Sequence, residues 1–271
     1  MRLDGATALV TGAGSGIGRA IAQGLSAQGC QVILLGRRAQ MLEQTRVSLA
    51  APDRAWVLAL DLADENARAH IHARIMERSG KLDLLVNNAG QVAAGPLESQ
   101  SDSQWRQMLE LNLLAPMSIT RALLPLLRVS GQGRVVNVGS MFGDIGFPFF
   151  AAYSASKFGL RGWSEGLRRE LAGQGIGVTY CAPRGTKTQA ADGFADYVSA
   201  FAMRLDPPET VAARIIKAIG ADARDVYPLG PERLFLLIQR LFPRLVDGGL
   251  RAQTEQARLV RLGSASPSSV G

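Results

Sequence analysis

Short apolar stretches alternate with amphipathic segments along most of the chain. The apolar stretches predict strands over residues 6–10, 31–35, 55–60, 82–86, 134–138 and 177–181, with 225–229 as a candidate last strand. The segments between them predict helices over residues 18–28, 39–49, 64–79, 103–127, 151–173 and 207–219. Apolar strands that alternate with helices are typical of a parallel sheet covered on both faces. We therefore predict an α/β fold, a doubly wound parallel sheet of the Rossmann type, as a single domain over residues 1–230.

The alternation weakens in the last third of the chain. Residues 189–205 are predicted to form a loop with short helices inside the domain. Residues 231–262 are predicted to form a C-terminal amphipathic helical extension, interrupted at Pro243 and at Gly248–Gly249. Residues 263–271 (GSASPSSVG) have low complexity, which predicts a disordered tail.

The composition narrows the classes of protein to which the chain can belong. Its 271 residues carry a formal net charge of +7, but the arginines are scattered rather than clustered. We therefore expect a mildly basic surface and no nucleic-acid partner, and an anionic cofactor would account for part of the excess. The two cysteines and two histidines have no ligand-like grouping, which predicts neither a disulfide nor a metal site.

The sequence also gives an expectation about location. The N-terminus enters a strand at once and has no signal-peptide core, and no stretch approaches about 18 unbroken apolar residues. We therefore expect a cytoplasmic protein. The apolar, arginine-flanked residues 233–251 leave three alternatives open, since they are suited to covering a pocket, to packing on another subunit or to lying on a membrane surface.

The first motif with a chemical meaning is TGAGSGIG, from Thr11 to Gly18. It follows a predicted strand and opens a predicted helix, which is the context of a phosphate-binding turn. Glycines allow the backbone to approach a pyrophosphate, and the helix N-terminus supplies N–H groups. The alternative is a glycine-rich turn required only for packing.

The end of the second predicted strand bears on the choice of nucleotide. NAD-binding domains usually carry an acidic residue there, to hold the ribose 2′-hydroxyl. This chain has Gly36 followed by Arg37 and Arg38, and a guanidinium suits a 2′-phosphate. We therefore predict NADP(H) as the cofactor, against the alternative of two surface arginines at the start of a helix.

Tyr153 and Lys157 form the third motif. They are four residues apart on a predicted helix, so their side chains lie on one face. An adjacent ammonium is expected to lower the tyrosine pKa from its usual value of about 10, which suits a general acid/base. The pair alone occurs by chance in many helices. Ser140, just after the strand 134–138, is placed to share one substrate oxygen with Tyr153.

Two further segments point to the same edge of the sheet. Asn87-Asn88-Ala89-Gly90 follows another strand, and the carboxyl ends of parallel strands are where ligands bind in such sheets. Asn112 lies inside the helical region 103–127, an unfavourable place for asparagine unless its side chain or a local bulge is used. Pro116 is expected to bend or interrupt that helix.

In combination, these motifs resemble the short-chain dehydrogenase/reductase family, in its single-domain type of about 250 residues. The resemblance covers residues 3–190 and rests on the following motifs: TGAGSGIG, Asp61, NNAG, Asn112, Ser140, YSASK, and Pro183 with Thr188. Extended epimerases are similar at Tyr153 and Lys157, but they have a longer substrate domain and lack NNAG. The resemblance implies an oxidoreductase that transfers a hydride between a nicotinamide and a carbonyl or secondary alcohol.

The resemblance also implies roles for single residues. Those implied to bind NADP(H) are Gly12, Ser15, Gly16, Ile17, Gly18, Arg37, Arg38, Asp61, Leu62, Asn88, Tyr153, Lys157, Thr186 and Thr188. In catalysis, Ser140 is implied to orient the carbonyl and Tyr153 to give or take the proton. Lys157 is implied to hold the nicotinamide ribose and to lower the Tyr153 pKa, and Asn112 to keep a water in the proton relay.

One segment departs from the family pattern. Where the family has glycine and an aliphatic residue after the proline, this chain has Arg184 and Thr186. Arg184 or Lys187 could face an anionic ligand, but we expect both to face solvent. Residues 189–205, beside the nicotinamide, are the implied lid.

The substrate is expected to be a small carbonyl or alcohol. The apolar, aromatic residues 141–150 favour a hydrophobic substrate of aliphatic, acyl or steroid-like type, unless they pack only in the core or on another subunit. We also expect a homo-oligomer, a dimer or tetramer. Two other functions stay open: a non-catalytic dinucleotide-binding sensor, and a peripheral membrane reductase of lipid or steroid-type ketones.

Overall fold

The structure, a computed structural model, describes residues 1–230 and 232–264. Seven parallel strands form one sheet: β1 (Thr7–Thr11), β2 (Gln31–Gly36), β3 (Ala55–Ala59), β4 (Leu84–Asn87), β5 (Arg134–Val138), β6 (Gly177–Cys181) and β7 (Asp225–Val226). Their order in the sheet is β3-β2-β1-β4-β5-β6-β7, and every neighbouring pair is parallel. The predicted doubly wound Rossmann-type sheet is therefore confirmed.

Helices cover both faces of the sheet. Those of the first half are α1 (Gly16–Ala27), α2 (Ala39–Val47), α3 (Glu65–Ala69), α4 (Ile71–Ser79), α5 (Asp102–Leu109) and α6 (Ala115–Val129). Those of the second half are α7 (Ala151–Glu170), α8 (Gln189–Asp192), α9 (Ala195–Ala200), α10 (Pro208–Gly220), α11 (Glu232–Leu241) and α12 (Pro243–Ser264). A π-helical segment, Glu110–Leu114, joins α5 to α6.

The core lies in two layers because alternate strand residues face opposite sides of a sheet. On one side, Leu9 and Ile33 pack in a cluster with residues of α4, α6 and α7. On the other side, Val10 and Leu34 pack with residues of α1, α2 and α10. The strands are buried on both faces, which explains why they are apolar throughout in the sequence.

Several predicted boundaries differ from the structure. The helix predicted over 64–79 is two helices that meet at His70, and the last strand ends at Val226, before Pro228, which has no N–H for a ladder. The predicted break at Gly248–Gly249 is wrong, since α12 runs through both glycines. The buried side chains of Val246 and Ala257 hold α12 against the domain, which offsets the poor helix propensity of glycine.

The C-terminal boundary also shifts slightly. Helix α12 ends at Ser264, so it includes two residues of the segment 263–271 that was predicted to be disordered. The rest of that segment, residues 265–271, lies outside the described residues.

The chain reverses direction across the sheet between β1 and β4, which are neighbours at its centre. Crossover connections leave from these two strands to opposite sides, and this opens a crevice at their carboxyl ends. Thr11, the last residue of β1, joins the two strand ends: its hydroxyl donates to Val86 O and accepts from the N–H groups of Asn88 and Ala89. The predicted motifs all follow strands at this edge.

Candidate active site

The glycine-rich turn between β1 and α1 is a tightly packed cradle. Gly12 has a φ of 66°, and a Cβ on Gly18 would lie 2.3 Å from Gly12 O. Both positions therefore require glycine. Ser15 precedes α1 in an extended conformation, and its side chain makes no capping hydrogen bond, so the first N–H groups of α1 have no side-chain cap from it. An open helix N-terminus of this kind suits an anion.

This turn forms one wall of a cavity of about 300 Å³ at the carboxyl ends of β1 to β4. The predicted cofactor residues that line it are Gly12, Ser15, Gly16, Ile17, Arg37, Arg38, Asp61, Leu62, Asn88 and Thr188. Gly18 stands behind the turn, while Thr186, Tyr153 and Lys157 line the adjoining pocket. The structure therefore brings the predicted cofactor residues to one continuous crevice.

The end of β2 places a cation at the rim of this cavity. The Arg37 guanidinium Nη1 lies 3.8 Å from Asp61 Oδ2, and both side chains are largely exposed. Arg38 precedes α2 and is also exposed. In the part of the chain that the structure describes, Asp61 is the one acidic side chain close enough to pair with Arg37. The five N–H donors of the Arg37 guanidinium are therefore only partly used.

Ser140, Tyr153 and Lys157 line a second, larger pocket beside the first. Ser140 follows β5, and its Oγ accepts a hydrogen bond from Phe142 N at 3.1 Å. Tyr153 lies in the first turn of α7, and its hydroxyl is hydrogen-bonded to Ser140. Lys157 Nζ donates to Val138 O at 3.1 Å and lies 5.8 Å from the centre of the Tyr153 ring. The predicted trio therefore meets at one place.

The pKa of Tyr153 is shifted in the direction opposite to the one expected from the sequence. Burial raises the pKa of the Tyr153 phenol, and the hydrogen bond with Ser140 lowers it only in part. Burial lowers the pKa of the Lys157 ammonium to about 8, because a buried cation has lost its hydration. In the protein without ligand, burial therefore outweighs the attraction that the sequence suggested.

Asn112 lies at the centre of the π-helical segment and is fully buried. Its Nδ2 donates to Gln91 O at 2.9 Å and to Ser156 Oγ at 3.0 Å, and its Oδ1 accepts from Gln91 N at 2.8 Å. A local bulge thus accommodates this asparagine, and Pro116 comes in the second residue of α6, just after it. One N–H of Nδ2 holds the 90–91 loop and the other holds α7 through Ser156, which leaves one lone pair of Oδ1 for a water.

The Arg184 side chain does not face solvent, as the sequence had suggested; it is buried in an ion pair. Its Nε lies 3.0 Å from Asp206 Oδ2, and the same carboxylate accepts from Arg214 Nη1 at 3.0 Å. Lys187 is exposed, as expected. Thr186 forms an isolated parallel bridge with Asp206. Arg184 is therefore accommodated where the family has glycine because Asp206 neutralises its charge.

The larger pocket has a volume of about 800 Å³, and its walls are mainly apolar. Its lining includes aromatic residues from the 141–150 loop and from the 189–205 segment, namely Phe142, Phe147, Phe150, Phe194 and Phe201. Phe142 stacks on Phe147 with ring centres 4.7 Å apart. The two cavities share Ile17, Asn88, Gly90, Thr188 and Ala190, so they are continuous.

The sequence did not decide the role of the C-terminal helices, since covering a pocket was one of three alternatives for residues 233–251. Helices α11 and α12 form one wall of the large pocket, through Phe235, Ile238, Leu245, Val246, Gly249, Leu250 and Gln253. The sequence of α11 has apolar residues on two faces. Only contacts between distant parts of the chain decide which of these faces lines the pocket. Gln91 and Ser156 were also missed as partners of Asn112.

No group of three or more His, Cys, Asp or Glu side chains in residues 1–230 and 232–264 is arranged to hold a metal ion. In the same ranges, no helix is long and apolar enough to cross a membrane.

Comparison with known proteins identifies the family. The family model of the short chain dehydrogenases matches residues 6–197. The ketoacyl reductase HetN of Nostoc sp. is 32% identical over 253 residues, which cover 90% of this chain and 88% of HetN.

Two solved structures are similar over most of their length. A short-chain dehydrogenase from Streptomyces avermitilis is 33% identical, with a TM-score of 0.77 over 95% of this chain and 98% of that one. The active-site complex of Pseudomonas aeruginosa RhlG with NADP is 32% identical, with a TM-score of 0.77 over 84% of this chain and 95% of that one. The matched motifs, the sheet order and these relatives agree, and the chain belongs to the short-chain dehydrogenase/reductase family of oxidoreductases.

Proposed function

We propose that the chain is an NADP(H)-dependent reductase of hydrophobic carbonyl compounds, with Tyr153 as the general acid/base. The observation that carries the proposal is the meeting of Ser140, Tyr153 and Lys157 in one apolar pocket that is continuous with the glycine-rich cavity. A dinucleotide-binding sensor needs the cavity but has no need of this trio. The named activity of the relative HetN, a ketoacyl reductase, supports the same class of reaction.

The crevice has features that fit NADP(H). The Gly12–Gly18 cradle leaves no room for side chains where a pyrophosphate would pass, and the uncapped start of α1 provides donors. Arg37 stands where the adenosine ribose would end, and its charge suits a 2′-phosphate. The Arg37 guanidinium lies 3.8 Å from the Asp61 carboxylate, and a bound 2′-phosphate would compete with Asp61 for it. The NADP complex of RhlG supports this choice of cofactor.

In the proposed mechanism, NADPH supplies the hydride when it is bound. The Ser140 and Tyr153 hydroxyls hold the carbonyl oxygen of the substrate. Tyr153 donates its phenolic proton to that oxygen as negative charge develops there. Because burial raises the pKa of Tyr153, the phenol keeps its proton at neutral pH and is ready to act as the acid in the reduction.

Lys157 has two roles in this proposal. Its ammonium binds the ribose hydroxyls of the nicotinamide half, and it restores the proton that Tyr153 gives away. A pKa of about 8 allows Lys157 to exchange protons near neutral pH. Asn112 positions the 90–91 loop beside Lys157, since a Cβ on Gly90 would lie 3.0 Å from Asn112 Oδ1 and 3.6 Å from Lys157 Nζ.

The walls of the pocket define the substrate class that we propose. The aromatic lining and the volume of about 800 Å³ suit an aliphatic, acyl or steroid-like carbonyl rather than a small polar one. Residues 189–205 act as the lid, since α8 and α9 contribute Ala190 and adjacent aromatic residues to the same wall. Helices α11 and α12 form a further part of the pocket wall.

We also propose a homo-oligomer. Leu109, Leu114 and Phe158 are large apolar side chains that are exposed along α5, the π-helical segment and α7. A patch of this kind on adjacent helices suits contact with a second copy. Light scattering of the purified chain gives the mass directly, and a monomer at all concentrations would contradict this part.

The experiment that tests the function is a screen of NADPH oxidation. The carbonyl panel spans short polar aldehydes, 3-oxoacyl esters of increasing chain length and cyclic ketones. We expect turnover to rise with the apolar size of the substrate. Tight NADPH binding without turnover on any member would favour the sensor instead.

A further inference from the structure

Helices α11 and α12 form a hairpin that covers the substrate pocket, and we name this hairpin the roof (residues 234–258). Its inner face is buried: Leu236 and Val246 pack with Met141 and Ile145 of the loop after β5. Farther along α12, Ala257 packs against Phe150 and Phe201. The roof is also attached through charge, since Arg240 Nη2 lies 3.7 Å from the buried carboxylate of Asp144.

The outer face of the roof is apolar as well. The exposed fractions are 60% for Leu234, 52% for Leu237, 61% for Leu241 and 59% for Phe242. The spacing of Leu234, Leu237 and Leu241 places them on one face of α11, away from the buried Leu236. Scattered exposed apolar residues are normal, but four within nine residues form a patch that marks a binding surface.

The charges around this patch select its partner. Residues 234–251 contain Arg240, Arg244 and Arg251 but only one acidic residue, Asp247. All three arginines are exposed. A second copy placed on this face by two-fold symmetry would bring like charges together. An anionic bilayer offers both an apolar interior and negative headgroups.

The apolar patch is continuous with the pocket. Leu245 and Phe235 line the pocket, have 68% and 36% of their surface exposed, and are sequence neighbours of the patch residues Leu234 and Phe242. An apolar chain leaving a bilayer beneath the roof would therefore pass along apolar side chains into the site that holds Tyr153. We propose that the outer face of the roof binds the surface of anionic membranes and that the substrate is a lipid-borne carbonyl taken from that surface. The part of this proposal that concerns the substrate rests on the proposed reductase function.

Vesicle binding tests the surface without any reference to turnover. The full chain, without cofactor or substrate, is sedimented with phosphatidylcholine vesicles and with vesicles that also contain phosphatidylserine. We expect binding to the anionic vesicles and at least about tenfold weaker binding for the triple variant Leu234→Gln/Leu237→Gln/Leu241→Gln. The variant Arg244→Gln/Arg251→Gln should lose the preference for phosphatidylserine.

The matched control is Leu97→Gln/Val129→Gln, which removes two apolar side chains of similar exposure elsewhere on the surface. It should bind vesicles like the wild type. The proposal is overturned if the wild type binds neither kind of vesicle, or if the triple variant binds as well as the wild type. It is also overturned if the triple variant only reduces the mass of a soluble oligomer, because a second copy then covers this face.

Turnover separates this proposal from the proposed function. The triple variant should reduce a short, water-soluble ketone at the wild-type rate, since none of its three leucines lines the pocket. It should lose most of its activity on a long-chain ketone presented in anionic vesicles. Equal rates on the vesicle substrate would contradict delivery from the membrane, whereas no activity on any ketone would contradict the reductase function instead.

Discussion

Arg184 and Asp206 form a buried ion pair that joins the two ends of residues 184–206, with Nε and Oδ2 3.0 Å apart. The backbone repeats the link, since Asp206 N donates to Gly185 O and Lys187 N donates to Asp206 O. Residues 186–206 therefore leave and rejoin the domain at one point. Arg184, where the family has glycine, is part of this closure, and the residues between its ends include Phe194 and Phe201 of the pocket lining.

The first prediction concerns the stability of that closure. Asp206→Ala removes an acceptor that Arg184 and Arg214 share, so the buried Arg184 guanidinium loses this ion pair and its hydrogen bond. We expect the free energy of unfolding to fall by about 1.5–3 kcal/mol. Arg214→Ala should cost less, because Arg214 is partly exposed and Arg184 keeps its pairing with Asp206. Denaturant unfolding measures the loss of unfolding free energy in each variant. Equal losses in Asp206→Ala and Arg214→Ala would contradict this prediction.

The second prediction concerns the buried ammonium of Lys157. Its pKa of about 8 in the folded state lies below the ordinary value of 10.5. The folded protein therefore binds fewer protons than the unfolded chain between these values, and this group makes the unfolding free energy rise with pH across that window. At pH 7 the buried Lys157 is charged, and we expect this to lower the unfolding free energy by an amount on the order of 3 kcal/mol.

Lys157→Met isolates this effect. Unfolding free energies of both proteins are measured near neutral pH and again near pH 10. We expect the wild type to gain about 2–3 kcal/mol relative to the variant between the two conditions. Parallel curves would show that Lys157 titrates normally.

The third prediction concerns the choice of cofactor. Arg37→Ala should weaken NADPH binding by about tenfold or more, because a charge-assisted contact with the 2′-phosphate is lost. NADH binding should change little. Arg38→Ala serves as the neighbouring control with a smaller effect. Fluorescence titration measures the affinity of each variant for NADPH and for NADH. An equal loss of affinity for both nucleotides would argue against the role given to Arg37.

The fourth prediction concerns Asn112. In Asn112→Asp the carboxylate cannot donate to Gln91 O or to Ser156 Oγ, and a buried charge is added. We expect a loss of about 2–4 kcal/mol in unfolding free energy. Turnover should also fall, since the 90–91 loop is no longer held beside Lys157. Ser156→Ala removes one of these partners only and should cost about 1 kcal/mol. Wild-type stability of Asn112→Asp would contradict this positioning role.

The sequence predicted much of the fold because local patterns decide it. The predicted strands 134–138 and 177–181 match the structure residue for residue. Gly133 and Gly139 flank the first, and the second begins at Gly177 and ends just before Ala182-Pro183. The Gly12–Gly18 turn and the Tyr153–Lys157 spacing are likewise local features. Asn112 was predictable as an anomaly, because an asparagine inside an apolar helix requires a special backbone.

Other features depend on contacts between distant residues and could not be predicted. Asp206, which pairs with Arg184, is 22 positions away from it, beyond two short helices, so the sequence offered no reason to place this arginine inside. The pKa of Tyr153 depends on how completely other elements bury it, which spacing along one helix does not reveal. The roof has apolar residues on two faces, and only packing decides which face covers the pocket.

The most direct test of the central claim is a comparison of Tyr153→Phe with the wild type. Single-turnover NADPH oxidation is measured with the best ketone of the panel, and NADPH affinity is measured in parallel by fluorescence. The phenyl ring keeps the packing of Tyr153 against Phe142 but has no proton to give. We expect turnover to fall by at least about a hundredfold while NADPH affinity stays within about twofold of the wild type. Wild-type turnover in Tyr153→Phe would contradict the assignment of Tyr153 as the general acid.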